Sequence, residues 1–145
     1  YLTIGGHSPA ALQQALAHNA MLHKGSLSAQ QLEAINLSVS EATGCDYCLA
    51  AHTLMAKKAG FSSEQIHALR RGAYAEETQL DALVKFAQTL VTTTGTLPEA
   101  DVAALRNAAF SDQQVIEIIS AISAILFTNM VNRVNDTVVD FPKAD

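Results

Sequence analysis

Both cysteines of the chain lie in one short run, Cys45-Asp46-Tyr47-Cys48, and His52 follows four residues after the second. In a helix the three would sit at i, i+3 and i+7, on one face within about 60° of arc at ~100° per residue. Two thiols with an imidazole one turn along are the minimum kit of a redox dithiol. Helical residues three apart have Cα atoms about 5 Å apart, inside the ~4.4–6.8 Å that a disulfide accepts. The pair could therefore open and close a bond with little backbone movement. The unpaired N–H groups of a first helical turn near Cys45 would favour thiolate.

Ionisation alone is a small effect. Lowering a thiol pKa by about 2 units raises the thiolate fraction roughly 25-fold at pH 7, but costs about 8-fold in nucleophilicity. A positioned general acid or base, worth ~10²–10⁴, matters more. His52, at i+4 from Cys48, is within side-chain reach. Glu33 lies beside Leu32 on the apolar side of the preceding helix, where a buried carboxylate needs a partner such as this Cys–His cluster. Glu41 is a second candidate, at a helix end where solvent is expected to reach it. Helix-terminus electrostatics favour Cys45 as the attacking sulfur, whereas proximity to His52 favours Cys48.

Zinc is the rival reading of a C-x-x-C-x-x-x-H set. Cys45 and His52 would be about 10.5 Å apart along a helix axis, so wrapping both around one ion would strain a regular helix. No metal is expected. Tyr47 could line the site or simply pack. His7, His18, His23 and His67 show no partner pattern and read as surface residues.

Cap signals predict the helices that position these groups. Ser8-Pro9 opens a helix to about Leu22, with proline at N1. Ser28 and Gln31 form a capping box for a helix to about Ala42, with Leu32, Ile35 and Val39 on one face. Gly44 breaks the chain, and the cysteine-bearing helix runs to a stop at Gly60. Phe61-Ser62-x-x-Gln65-Ile66 and Phe110-Ser111-x-x-Gln114-Val115 each combine a capping box with a hydrophobic staple. Between them lie a helix from about Thr78 to Thr94 and a shorter one after Pro98. No window alternates with period 2 long enough for a strand, and Asp136 to Asp145 reads as an extended tail. The expectation is an all-α bundle of about six to seven helices, forming one domain over residues 1–145.

Composition sets the outer limits. The chain has 145 residues, 49% of them hydrophobic and 16% charged, so some apolar surface is expected to be covered by another subunit. A net charge of −5 and the lack of any basic run argue against nucleic-acid binding. No signal-peptide pattern is visible. The apolar stretch Val115 to Val131, interrupted by Glu117, Ser120, Ser123 and Asn129, reads as a buried helix and not a membrane span. The Ile-rich part from Ile116 to Leu126 is expected to serve as core and subunit interface. A lone CxxC pair points to a cytoplasmic protein and away from a secreted disulfide scaffold.

Glu33, eleven intervening residues and then Cys45-x-x-Cys48-x-x-x-His52 resemble the active-site signature of the alkylhydroperoxidase D-like (AhpD-like) proteins of the carboxymuconolactone decarboxylase superfamily. The run Leu37 to His52 and the tail Asn132-Arg133 through Asp140-Phe141-Pro142 are similar as well, so the likeness covers most of the chain. It implies an AhpD-like helical bundle, homo-oligomers (trimers or hexamers), and thiol-dependent reduction of organic hydroperoxides without a bound cofactor. By this resemblance Cys48 attacks the peroxide, Cys45 resolves the sulfenic acid to a disulfide, and Glu33 with His52 relays protons. An external dithiol, lipoyl or thioredoxin-like, would reset the pair. Well-studied members carry histidine just before the second cysteine, where this chain has Tyr47. Two other functions stay open: a decarboxylase or lactone-processing enzyme of the same superfamily, and a non-catalytic redox sensor.

Overall fold

The computed structural model describes residues 2–93, 95–142 and 144. Thr94, expected to end one helix, and Lys143 and Asp145 of the expected tail lie outside the described residues, as does Tyr1. Among the described residues there are eight helices and no strand: α1 (Leu2–Gly5), α2 (Pro9–Leu22), α3 (Ala29–Thr43), α4 (Asp46–Lys58), α5 (Ser63–Arg70), α6 (Thr78–Thr92), α7 (Glu99–Asn107) and α8 (Asp112–Val134). All seven expected helices form, α6 and α7 without a side-chain cap at their N-termini. The addition is α1, four residues with no buried side chain, too short to show a 3.6-residue period.

The caps work as the sequence implies. Ser28 with Gln31, Ser62 with Gln65 and Ser111 with Gln114 each make the reciprocal pair of hydrogen bonds of a capping box, which satisfies two orphan N–H donors per helix. Phe61 and Phe110, one residue before their caps, are buried against the core. Beyond α8 the chain turns at Asn135–Asp136, where Asp136 has φ 46° and not the extended backbone expected from that residue on, and the rest of the described tail has no regular structure.

Helix α3 is the axis of the bundle. Leu32, Ile35 and Val39 are buried on the expected face, but Ala34, Leu37, Ser38 and Ser40 are buried too. α4, α5, α6 and α8 all pack against it. Buried apolar side chains from α3 through α8 join in one cluster, with Ile35, Leu37, Leu69, Leu83 and Ile118 at its centre.

Two readings need correction. α8 is not buried all round. Ile118, Ile122, Ile125, Asn129 and Asn132 form a buried inner stripe, whereas Ile116 is 67% and Met130 57% exposed on the outside. α8 is long and apolar enough, by length and composition, to cross a membrane, but its inner stripe carries amides that are hydrogen-bonded within the bundle. His18, in turn, is no unpartnered surface residue. It is half-buried, and its Nε2 lies 2.8 Å from Ser120 Oγ, tying α2 to α8.

α2 buries no side chain of its own and leans on the bundle from outside. The loop after it is tethered by Glu117, whose Oε2 accepts from the Ser26 hydroxyl at 2.6 Å and the Ser26 amide at 2.8 Å.

Candidate active site

Gly44 sets the geometry of the thiols. It ends α3 in the left-handed region, φ 66°, which glycine adopts without the Cβ penalty. The Gly44 N–H then bonds to the Glu41 carbonyl, and the Cys45 N–H to the Ser40 carbonyl at 3.0 Å. This turn delivers Cys45 as the N-cap of α4, not as a member of its first turn, which corrects the simple i, i+3, i+7 picture. Its Sγ accepts the Cys48 N–H at 3.4 Å, so the positive end of α4 acts directly on that sulfur. Cys45 and Cys48 are joined as a disulfide with Cα atoms 5.3 Å apart. They are only 1% and 2% exposed.

Glu33 and His52 come together as the sequence requires, across the α3–α4 seam. Glu33 Oε2 lies 2.8 Å from His52 Nδ1, and both side chains are half-buried. The Asn36 amide donates to the other carboxylate oxygen at 3.4 Å. An ionised carboxylate only accepts, so Nδ1 carries the proton and Nε2 of the neutral ring is left as a base. Among the described residues no hydrogen bond joins His52 to either sulfur. His52 follows Cys48 at i+4 on α4, the spacing at which two helical side chains are neighbours.

One residue that the sequence reading did not single out for chemistry touches the sulfur. The Asn132 Nδ2 donates to Cys48 Sγ at 3.4 Å from the buried stripe of α8, while its Oδ1 is buried without a partner. A chain of hydrogen bonds one turn earlier fixes α8 in register: Ser40 Oγ to Asn129 Oδ1 at 3.3 Å, and Asn129 Nδ2 to Thr43 Oγ1 at 2.8 Å. The available signal was the spacing, since Asn129 and Asn132 continue the stripe of Ile118, Ile122 and Ile125, and buried amides must find partners.

The remaining candidates fall elsewhere. Glu41 is exposed at the end of α3 and accepts from Arg70 Nε at 2.7 Å. Tyr47 packs its ring edge-on against Phe141, centroids 5.4 Å apart, which lays the C-terminal segment over the start of α4. Burial, then the nearby Asp140 carboxylate, raises the Tyr47 phenol above its ordinary pKa. His7 and His23 are exposed, while His67 is half-buried. Among the described residues no three His, Cys, Asp or Glu side chains gather where they could hold a metal ion.

A helical bundle carrying vicinal thiols beside a carboxylate–imidazole pair is the AhpD-like arrangement. The chain belongs to the carboxymuconolactone decarboxylase family, whose profile matches residues 9–88, a span that includes Glu33, both cysteines and His52. Comparison with the curated proteins finds no match.

Solved structures share the fold. A protein of unknown function from Agrobacterium tumefaciens, a candidate AhpD antioxidant defence protein, superposes with a TM-score of 0.84 at 22% identity, over 95% of this chain and 96% of its own. The apo debrominase Bmp8 gives 0.82 at 20% identity, over 96% and 75%. An uncharacterized peroxidase-related protein from Ralstonia eutropha JMP134, with an alkylhydroperoxidase AhpD core, gives 0.80 at 20%, over 97% and 74%. At these identities the likeness establishes the fold, and the chemistry must be argued from the site.

Proposed function

We propose that this chain is a thiol-dependent peroxidase that reduces organic hydroperoxides through a Cys45–Cys48 dithiol cycle. The observation that carries the reading is a dithiol at disulfide distance on the helix that carries, four residues after Cys48, the His52 paired with Glu33. In the reduced protein, His52 Nε2 takes the thiol proton of Cys48. The thiolate, stabilised by the Asn132 N–H, attacks the terminal peroxide oxygen. The O–O bond breaks, an S–O bond forms, and the alkoxide leaves with the proton returned by His52. The products are an alcohol and Cys48 sulfenic acid. The Cys45 sulfur then attacks Cys48 Sγ, forming the disulfide and releasing water. An external dithiol, lipoyl or thioredoxin-like, restores both thiols and becomes a disulfide itself. The N-cap position of Cys45 suits it to leave as thiolate in that exchange. Such a cycle fits a reducing, cytosolic compartment and a homo-oligomer, a trimer or hexamer.

The test is stopped-flow oxidation of the reduced protein, with sulfenic acid trapped by dimedone in each single-cysteine variant. Labelling is expected in Cys45→Ser, which keeps Cys48. Labelling confined to Cys48→Ser would exchange the two roles. Oxidation no faster than that of a free low-molecular-weight thiol would overturn the peroxidase reading and leave a redox sensor.

A second reading has its own support, because the Glu33–His52 pair is complete without the sulfurs and could do acid–base work on a lactone or a carboxylated substrate. The double variant Cys45→Ser/Cys48→Ser separates the two. It would retain that activity and lose the peroxidase.

A further inference from the structure

A stretch without regular structure, residues 135–142, leads from the end of α8 to the start of α4. It leaves α8 by a turn in which Asp136 takes φ 46°, a left-handed conformation that glycine and short polar residues adopt most readily. The Thr137 N–H donates to the Asn132 carbonyl at 3.0 Å, and the Asn132 side chain in turn donates to Cys48 Sγ. Past Thr137 the segment makes no backbone–backbone hydrogen bond among the described residues. Its grip on the bundle is the Phe141 ring set edge-on against Tyr47, with the Asp140 carboxylate beside the Tyr47 phenol.

Two features show that this grip is weak. A cavity of about 290 Å³ lies beneath the segment, among Val139, Ala144, Asp46, Leu49 and Ala50 of α4, and Arg70 of α5. The segment is therefore not close-packed and forgoes the dispersion contacts of a filled interior. At its root, Thr137 Oγ1 and Asn132 Oδ1 are both buried without a partner. A buried polar atom left unpaired opposes the closed state, and lifting the segment lets water reach the Thr137 hydroxyl.

Cys45 and Cys48 are 1% and 2% exposed, so an external dithiol reaches neither sulfur in this arrangement. Their other neighbours are firmly held: the Cys45 N–H is bonded to the Ser40 carbonyl of α3, and Asn132 belongs to the buried stripe of α8. A segment with few packing contacts and few backbone hydrogen bonds is the part that opens first. Tyr47, which it grips, stands about 140° round α4 from His52 at ~100° per residue. The strapped side of the helix therefore faces away from the proton relay.

We infer that residues 137–142 form a removable strap on the first turn of α4, and that its release admits the external dithiol to the Cys45–Cys48 disulfide. Tyr47 and Phe141 are its latch, positioning residues for the reductive half of the cycle and not for the attack on peroxide. With the strap lifted, a thiolate of the reductant attacks Cys48 Sγ. The S–S bond breaks, a mixed disulfide forms, and Cys45 leaves as thiolate. The second thiolate of the reductant then displaces Cys48, so the reductant becomes a disulfide and solvent protons complete both cysteine thiols. The inference rests on the dithiol cycle proposed above, but not on what oxidises it.

The test is reduction of the oxidised full chain by dithiothreitol, followed by acid quenching and mass spectrometry. Phe141→Ala and Tyr47→Ala should each speed reduction by about ten-fold, the order of losing one aromatic ring pair. The double variant should be no faster than either single one, because both remove the same contact. Phe141→Tyr, which keeps the ring, should reduce at the wild-type rate. Reduced Phe141→Ala should be oxidised by cumene hydroperoxide as fast as wild type. Leu105→Ala, a core substitution on α7, should lower the melting temperature without speeding reduction. Wild-type reduction as fast as that of Phe141→Ala, latch effects that multiply in the double variant, or equal acceleration by Leu105→Ala overturns the inference. So does equal acceleration of the oxidation step. Slow oxidation by every hydroperoxide, with reduction still sensitive to the latch, sinks the peroxidase reading and leaves the strap standing.

Discussion

Glu33 on α3 and His52 on α4 meet through a 2.8 Å contact between Oε2 and Nδ1, nineteen residues apart in the chain. The contact fixes the ring orientation and, in the neutral ring, favours the tautomer with its proton on Nδ1, which leaves Nε2 as the acceptor.

His52→Ala should therefore lower the second-order rate of Cys48 oxidation by ~10²–10⁴, the usual worth of a positioned acid or base. Glu33→Gln should lose most of that, because an amide can donate to Nδ1 and so place the imidazole proton on Nε2, the wrong nitrogen. Stopped-flow rates at fixed pH, with circular dichroism as a check on folding, decide the matter. A loss below about 3-fold in both variants would show that the pair is structural, because that is all the thiolate effect could supply.

Asn132 makes a separable contribution. A hydrogen bond to a charged group is worth about 1.5–3 kcal/mol, equivalent to roughly 1–2 pKa units. In a Cys45→Ser background, Asn132→Ala should raise the Cys48 thiol pKa by about that amount, read from the pH dependence of iodoacetamide alkylation. A variant that melts earlier but alkylates with an unchanged pH profile would reduce Asn132 to a packing residue.

The sequence made the helices legible because their ends are written in local chemistry: Ser-x-x-Gln boxes, Pro9 at N1, and glycines at 44 and 60. Glu33, Cys45, Cys48 and His52 were legible because they fall on two consecutive helices. What escaped was long-range. Asn132 reaches Cys48 across 84 residues of sequence, and no local pattern announces that meeting. Cys45 was placed one position too deep in its helix, because the turn at Gly44 leaves it at the N-cap. Periodicity also could not tell the inner stripe of α8 from its outer one, since both are apolar.

Glu117 offers a pH test of how α2 and its loop are held. The Ser26 hydroxyl first, then Gln113 and the Ser26 amide, hold its carboxyl below the ordinary pKa. A depressed folded pKa gives stability that is fully present above the unfolded value, about 4.3, and that is lost as pH falls through the folded one. Glu117→Gln should melt below wild type by a constant margin from pH 8 to about pH 5. The margin should narrow below about pH 4.3 and vanish once the native carboxyl is protonated. A margin that survives to pH 2 would assign the effect to shape and not to charge.

The outer face of α8 carries the last prediction. Ile116, Ile119, Phe127, Met130 and Val134 are all exposed, and together with Ser123 they fall at successive three- and four-residue steps, the spacing of a helix-packing stripe. The eighteen steps from Ile116 to Val134 span about 27 Å at 1.5 Å per residue, long enough to seed a specific interface of ~1,200–2,000 Å². A second copy of the chain is the occupant we expect, since the stripe resembles the inner face that already packs on α3 and carries no charge of its own. Sedimentation at micromolar concentration should show a closed oligomer for wild type. Phe127→Lys or Met130→Glu should shift it to monomer with unchanged helicity, because a charge in an apolar helix seam must either stay hydrated or lose its solvation uncompensated. A wild-type chain that sediments as a monomer, or charged variants that assemble as well as wild type, would mean that another partner covers this face.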